Sequence, residues 1–122
     1  MLTLPNPKKG TTMASKFELK TAADNRFMWN LKAGNGEVIL TSQLYKSKDS
    51  AMSGIESVKK NCADDGRFER KEAKDSSPFF VLKAANGETI GKSEMYSSKS
   101  AMENGIASVM KNAPDARVDE IS

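Results

Sequence analysis

The sequence repeats itself after 51 residues, and this repeat limits what the chain can fold into. Residues 17–67 and 68–118 align without gaps and share about 23 identities, against roughly three expected by chance. A chain of 122 residues suffices for one domain, or for two small units that share a core. No loop separates the copies, so they cannot be independent domains. We therefore expect a single domain over 15–122, with repeats at about 15–67 and 68–122.

The composition excludes several common kinds of chemistry. The chain has no histidine and one cysteine, Cys62. This excludes Ser-His-Asp and Cys-His nucleophile systems, a CxxC redox pair, an intrachain disulfide and the usual zinc sites. A single free cysteine is typical of a small buried core residue and favours a reducing, cytoplasmic setting. We expect no catalytic residue, no metal and no cofactor.

The positive charge of the chain lies largely in its first residues. The net charge is +3, but two of the lysines, Lys8 and Lys9, lie in a segment without acidic residues. From Met13 onward 17 basic residues face 16 acidic ones, so the body is nearly neutral. Residues 1–14 contain two prolines and no hydrophobic period, which predicts a disordered tail. No apolar run is long enough for a membrane span, and a signal-peptide core is missing.

Each copy is predicted to contain three strands and then a helix. The first copy has strands at 17–21, 27–33 and 37–41 and a helix to about Ala63 after the N-cap Ser47; the second has strands at 68–73, 79–84 and 88–92 and a helix from about Ser98 to Ala113. The pairs Asn35-Gly36 and Asn86-Gly87 predict two-residue hairpin turns of type I′, in which both residues have positive φ.

Two stripes run along each predicted helix. One is apolar and is expected to cover a sheet face. Its members are Ala51, Ile55, Val58 and Cys62 in the first helix and Met102, Ile106, Val109 and Ala113 in the second. The other is small and polar and contains Gly54 or Gly105. Since glycine inside a helix costs about 1 kcal/mol relative to alanine, we infer a close approach there. We expect the helices to meet at Gly54 and Gly105, the alternative being that these are exposed small residues.

The junction between the copies matches the end of the chain. Arg67-Phe68-Glu69 resembles Arg117-Val118-Asp119, so Phe68 belongs both to the end of copy one and to the start of copy two. This pattern predicts one long central strand, roughly 66–74, that serves both copies.

The repeated residues resemble the YegP-like family of small, uncharacterised bacterial and archaeal proteins. The resemblance rests on Leu82–Ile90, Ser93–Lys99 and Asn104–Val109 and covers about residues 17–120. It implies two β(3)-α-β units that form one sheet and exchange their C-terminal strands, so that the strand near Val118 pairs with copy one. It implies no catalytic residues. We predict an α+β fold: a largely antiparallel sheet with pseudo-two-fold symmetry and two helices on one face.

The segments before the helices form one candidate site. Tyr45 and Tyr96 each precede a Ser-Lys pair, and Ser47 or Ser98 with nearby amides would bind an anion at a helix N-terminus. The alternative is that the serines only cap the helices and the tyrosines only pack. Two symmetric carboxylates, Glu37 and Glu88, would suit acid–base work only if the fold brought them together.

The uncovered face of the sheet is the second candidate. Strand alternation places Met28 and Phe79 on that face together with Lys20 and Lys32. An exposed aromatic residue beside lysines would stack on single-stranded nucleic acid. We expect a monomeric, non-enzymatic binding or interaction module whose partner the sequence does not identify. A single-stranded nucleic-acid binder and a small-ligand binder or enzyme are the alternatives.

Overall fold

A computed structural model describes residues 15–121, which form one sheet with two helices packed on one face. The strands are β1 (Lys16–Thr21), β2 (Phe27–Lys32), β3 (Val38–Ser42), β4 (Phe68–Glu72), β5 (Pro78–Lys83), β6 (Thr89–Lys92) and β7 (Arg117–Ile121), and the helices are α1 (Lys48–Asn61) and α2 (Lys99–Asn112). The predicted tandem α+β architecture is confirmed. The predicted tail at 1–14 lies outside the described residues. Neither described helix is long and apolar enough to cross a membrane.

The described strands form a seven-stranded sheet in the order β4-β5-β6-β3-β2-β1-β7. The shift of 51 residues relates β1, β2 and β3 to β4, β5 and β6, so the pseudo-two-fold axis lies between β3 and β6. All neighbouring pairs are antiparallel except β1 and β7, where Phe17 lies opposite Val118 in a parallel pair. The last strand of copy two therefore completes copy one, and the predicted strand exchange is confirmed at this end.

The prediction of a long central strand over 66–74 is wrong. β4 is five residues long and lies at the edge of the sheet, where it pairs with β5 and Phe68 lies opposite Leu82. A short 3-10 turn, Asp65–Arg67, directly precedes Phe68, so the strand cannot begin earlier than this residue. The Asp64 carboxylate stabilises the turn by accepting from the Gly66 N–H at 2.9 Å. Because of this turn, Phe68 belongs only to the first strand of copy two.

The core lies between the sheet and the helices. The eight residues of the predicted apolar stripes are all at most 4% exposed, which confirms the sheet-facing side of both helices. Phe17 packs edge to face on Trp29 at 5.3 Å between ring centroids, and Phe68 packs in the same way on Phe80 at 5.6 Å. Burial of each such large side chain contributes about 1.5–3 kcal/mol. Cys62 is fully buried, as predicted.

The helices begin where the serine pattern predicts. Ser47 Oγ accepts from the Ser50 N–H at 3.1 Å, and Ser98 Oγ accepts from the Ala101 N–H at 3.0 Å. Each bond satisfies one of the amides that a helix start leaves without a partner in the helix, which is typically worth about 1 kcal/mol.

The hairpin turns differ from the predicted type I′ form. Gly36 and Gly87 have φ of +88°, but Asn35 and Asn86 do not have positive φ. In the first turn the Gly36 N–H donates to the Ala33 carbonyl at 2.9 Å, and the Ala33 N–H donates to the Glu37 carbonyl at 2.9 Å. These bonds define a three-residue loop: a type I turn followed by a left-handed glycine. The asparagine instead accepts from the N–H two residues on, at 3.0 Å in both copies.

The helices do not meet at their glycines, contrary to the prediction. A Cβ at Gly54 would lie 2.9 Å from Tyr45 Cζ and 3.1 Å from Trp29 Nε1. A Cβ at Gly105 would lie 2.7 Å from Tyr96 Cζ. Both glycines are buried, so the close approach is real, but the neighbour is a tyrosine from the same repeat.

Candidate binding surface

The face of the sheet without helices carries more basic than acidic strand residues. Along each strand, residues that alternate with the core side chains point to this face. Its cationic strand residues are Lys16, Lys20, Lys32, Lys71, Lys83, Lys92 and Arg117, and its acidic ones are Glu18, Glu69 and Asp119. The surplus is four positive charges, whereas the body from Met13 onward has a net charge of +1. The remaining surface is therefore acidic.

Two glutamates organise these lysines in the same way in both repeats. Glu18 contacts Lys32 at 2.9 Å and Lys16 at 3.4 Å. Its equivalent, Glu69, contacts Lys83 at 2.9 Å and Lys71 at 3.6 Å. The hydrogen bond from Lys32 lowers the pKa of Glu18, and the hydrogen bond from Lys83 lowers that of Glu69. Each glutamate thus stays ionised and holds two lysines in place.

The predicted residues Met28 and Phe79 lie on this face and are half-buried. They occupy equivalent positions in the repeats, each opposite a lysine of the neighbouring strand: Met28 opposite Lys20 and Phe79 opposite Lys71. Lys92 Nζ lies 5.0 Å from the centroid of the Phe79 ring, within the range of a cation–π contact. The face combines exposed apolar surface with fixed cations.

A shallow groove crosses this face at the pseudo-two-fold axis. It has a volume of about 370 Å³, and its walls include the symmetry-related pairs Val38 with Thr89 and Thr41 with Lys92. Lys92 and Glu94 are the charged residues among those that line it. Mostly apolar walls with few charges suit a contact surface better than a reaction centre.

At the helix starts the serines take the capping role that is the alternative to an anion site. The hydroxyls of Ser47 and Ser98 are both used in capping. The rings of Tyr45 and Tyr96 turn inward over Gly54 and Gly105, and burial raises the pKa of both phenols. These residues stabilise the helix starts. Glu37 lies in its hairpin turn, where its carboxylate accepts from the Asn35 side-chain amide at 3.1 Å.

Two features of the surface have no counterpart among the predictions. The lysine clusters around Glu18 and Glu69 join residues of adjacent strands, so their partners become visible only once the strand order is known. Leu44 and Met95, at equivalent positions after β3 and β6, are 49% and 46% exposed. The 51-residue alignment already pairs them, and two large apolar residues in a polar segment would have indicated exposure.

The family follows from both copies of the repeat. Residues 22–69 and 73–120 each match the domain of unknown function DUF1508. The chain belongs to the DUF1508 family. The two DUF1508 matches are offset by the same 51 residues as the internal repeat. The first ends within β4 and the second within β7, so both include the sequence similarity between the junction and the chain end.

The sequence relatives of the chain match it over most of its length. A UPF0339 protein of Pseudomonas aeruginosa is 52% identical over 110 residues, which cover 90% of this chain and 100% of that protein. A UPF0339 protein of Bordetella pertussis is 56% identical over 104 residues, covering 85% and 93%. The solution structure of YegP from E. coli, a protein of unknown function, superposes with a TM-score of 0.84 at 49% identity, covering 91% and 96%. The YegP resemblance is confirmed, and none of these names states an activity.

Proposed function

We propose that the chain is a non-enzymatic binding module that docks an acidic partner protein on the helix-free face of its sheet. The observation that carries this proposal is the surplus of four positive charges around the half-buried Met28 and Phe79. Apolar contact at the centre with charges around it is the usual anatomy of a protein interface. Opposite charge on the partner would speed association and fix its orientation.

The state of the nucleophilic side chains supports binding over catalysis. The Cys62 thiol is fully buried and burial raises its pKa, so it stays protonated and out of reach. Burial also raises the pKa of the Tyr45 and Tyr96 phenols. Five of the six lysines of the helix-free face contact carboxylates or the Phe79 ring, an arrangement that suits recognition.

A single chain supplies both halves of the sheet, and we propose that it acts as a monomer. The buried free thiol is consistent with a reducing compartment such as the cytoplasm. Sedimentation equilibrium at two concentrations tests the first statement, and a constant mass near 13 kDa is the expected result.

The test compares capture from a native lysate by two immobilised variants. The face variant combines Lys20→Glu, Phe79→Ala and Lys92→Glu, and the control variant combines Lys46→Glu and Lys60→Glu, both exposed and outside the strands. A partner retained by the wild type and the control, lost from the face variant and weakened by salt would support the proposal. Equal retention by the face variant would contradict it.

Single-stranded nucleic acid is the second candidate, and the contact between Phe79 and Lys92 favours it. An aromatic ring beside an ammonium group offers stacking and phosphate pairing at one point. Titration with a fluorescent oligothymidylate at about 50 and about 200 mM salt tests this directly. Binding that falls with salt and is lost in Phe79→Ala would support the second candidate. No binding at low salt would exclude single-stranded nucleic acid and favour the acidic protein partner.

A further inference from the structure

The two ends of the sheet differ although the repeats are equivalent. At one end β1 is covered by β7, which runs parallel to it and places Val118 opposite Phe17 and Glu120 opposite Leu19. At the other end β4 is the equivalent of β1, but within residues 15–121 no strand pairs with its outer side. The outward-facing amides and carbonyls of β4 therefore have no ladder partner in the described fold, which makes this edge a template for an added strand.

A groove of about 420 Å³ lies beside this edge, between β4 and the start of α2. It is lined by Arg70, Lys71, Glu72, Pro78, Lys99, Met102 and Glu103. In the first repeat β7 lies against the corresponding positions. Leu19, the equivalent of Arg70, is 2% exposed there, and Lys48, the equivalent of Lys99, holds the Glu120 carboxylate of β7 at 2.6 Å.

Among the described charges that line the groove, one cation, Lys99, and one carboxylate, Glu72, have no oppositely charged partner within 4.0 Å. The Arg70 guanidinium contacts Glu103 at 2.7 Å and Asp65 at 2.9 Å, so two carboxylates compensate it. Lys71 Nζ lies 3.6 Å from Glu69. In the described part of the chain Lys99 has no carboxylate within 4.0 Å, although it stands where Lys48 holds Glu120.

We propose that the free edge of β4 binds an extended acidic segment of a partner protein as an added parallel strand. By analogy with β7, that segment has an apolar residue opposite Phe68 and a carboxylate two positions later that contacts Lys99. Backbone hydrogen bonds would supply affinity and the carboxylate would fix the register. The first fourteen residues of the chain do not match this chemistry, since they contain Lys8 and Lys9 and no acidic residue.

The probe is a synthetic peptide with the sequence of residues 114–122, which contains the β7 pattern Arg-Val-Asp-Glu-Ile. It is titrated into the isotope-labelled full chain and followed by backbone amide shifts. We expect saturable shifts at Phe68–Glu72 and Lys99. Lys99→Glu should lower the affinity for the peptide about 3- to 10-fold. Lys46→Glu, an equal charge change outside the groove, should leave this affinity unchanged. A peptide with lysine at the Glu120 position should bind poorly to the wild type and better to Lys99→Glu.

Other results would overturn the proposal. Shifts confined to Lys16–Lys20 would mean that the peptide displaces the chain's own β7, and the absence of shifts would mean that the edge does not accept a strand. A dimer formed through β4 without peptide would make a second copy the occupant. The variant Phe79→Ala with Lys92→Glu alters only the helix-free face, so it should bind the peptide normally and keeps this test separate from the proposed function.

Discussion

Leu40 and Gly91 occupy equivalent positions in the two repeats, and the leucine side chain fills the space that a side chain at position 91 would need. A Cβ at Gly91 would lie 2.8 Å from Leu40 Cγ and 3.2 Å from the Thr41 carbonyl oxygen. The pair lies beside the pseudo-two-fold axis, where identical side chains from the two repeats would collide. The chain therefore departs from its own repeat at this point because one large side chain fits there and two do not.

We predict that Gly91→Ala lowers the free energy of unfolding by about 1–3 kcal/mol, because the new methyl group contacts a packed side chain and fixed backbone. Urea denaturation measures this. In a Leu40→Ala background, where the side-chain contact is gone, the same change should cost less, leaving a coupling of about 0.5 kcal/mol or more. An equal cost in both backgrounds would show that Leu40 is not the reason for the glycine.

Gly54→Ala and Gly105→Ala provide a test of sign. Helix propensity alone predicts a gain of about 1 kcal/mol for each change, whereas the Tyr45 and Tyr96 rings predict a loss of about 1–3 kcal/mol. We expect a loss. Combining Gly54→Ala with Tyr45→Phe removes the hydroxyl that the new methyl group contacts. This should recover part of the lost free energy of unfolding. Ser53→Ala, at an exposed position of the same helix, is the propensity control. A gain at both glycines would contradict the tyrosine contact.

The Glu18 cluster should make stability depend on pH. The hydrogen bond from Lys32 lowers the Glu18 pKa below its usual 4.5, so its contribution is fully present above that value and is lost as the pH falls through the folded-state pKa. Glu18→Gln should therefore lower stability at about pH 7 more than at about pH 3. Urea denaturation across this pH range measures the difference, and Glu56→Gln, outside the cluster, is the control. A difference independent of pH would mean that the carboxylate charge contributes nothing.

Ser76 lies in a hairpin loop of the same form as those at Gly36 and Gly87, with φ of +71°. The left-handed conformation is strained for a residue with a Cβ. We predict that Ser76→Gly raises the free energy of unfolding by up to about 1 kcal/mol, the relief of strain exceeding the greater chain entropy of glycine. Gly87→Ala should act in the opposite direction. Thermal unfolding followed by circular dichroism compares the two, and a loss in Ser76→Gly would mean that the serine side chain stabilises the loop.

Most of the secondary structure could be predicted from the hydrophobic periodicity of the sequence. Alternation along Phe17–Thr21 and the helical spacing of Ile55 and Val58 depend on local geometry, so the strands and helices could be predicted within a residue or two. The group that contacts Gly54 could not be predicted, because a glycine inside a helix indicates a close approach but does not identify the neighbouring group. Its neighbour, Tyr45, lies nine residues earlier in an irregular segment whose path depends on the backbone bonds between Phe27 and Tyr45.

The candidate surface was predictable only in part. Alternation placed Met28 and Phe79 opposite the helices, but the charge of that face depends on which strands are neighbours. The edge position of β4 was missed because the sequence around Phe68 resembles both a first strand and a last one. Comparison of Leu19 with its equivalent Arg70 would have indicated the edge position. A charged residue where the other repeat has an apolar one indicates that no strand covers this part of β4.

The junction between the repeats has a consequence for the symmetry of the described sheet. Two complete β(3)-α-β units would contribute eight strands, and the described residues form seven because the chain passes from α1 directly into β4, the first strand of copy two, so the first unit has no closing strand of its own. Because only the second unit has a closing strand, β7, the two ends of the sheet are not interchangeable: the end at β1 is covered and the end at β4 is open. The described sheet is therefore polar, and a strand added at β4 would extend it from that end only.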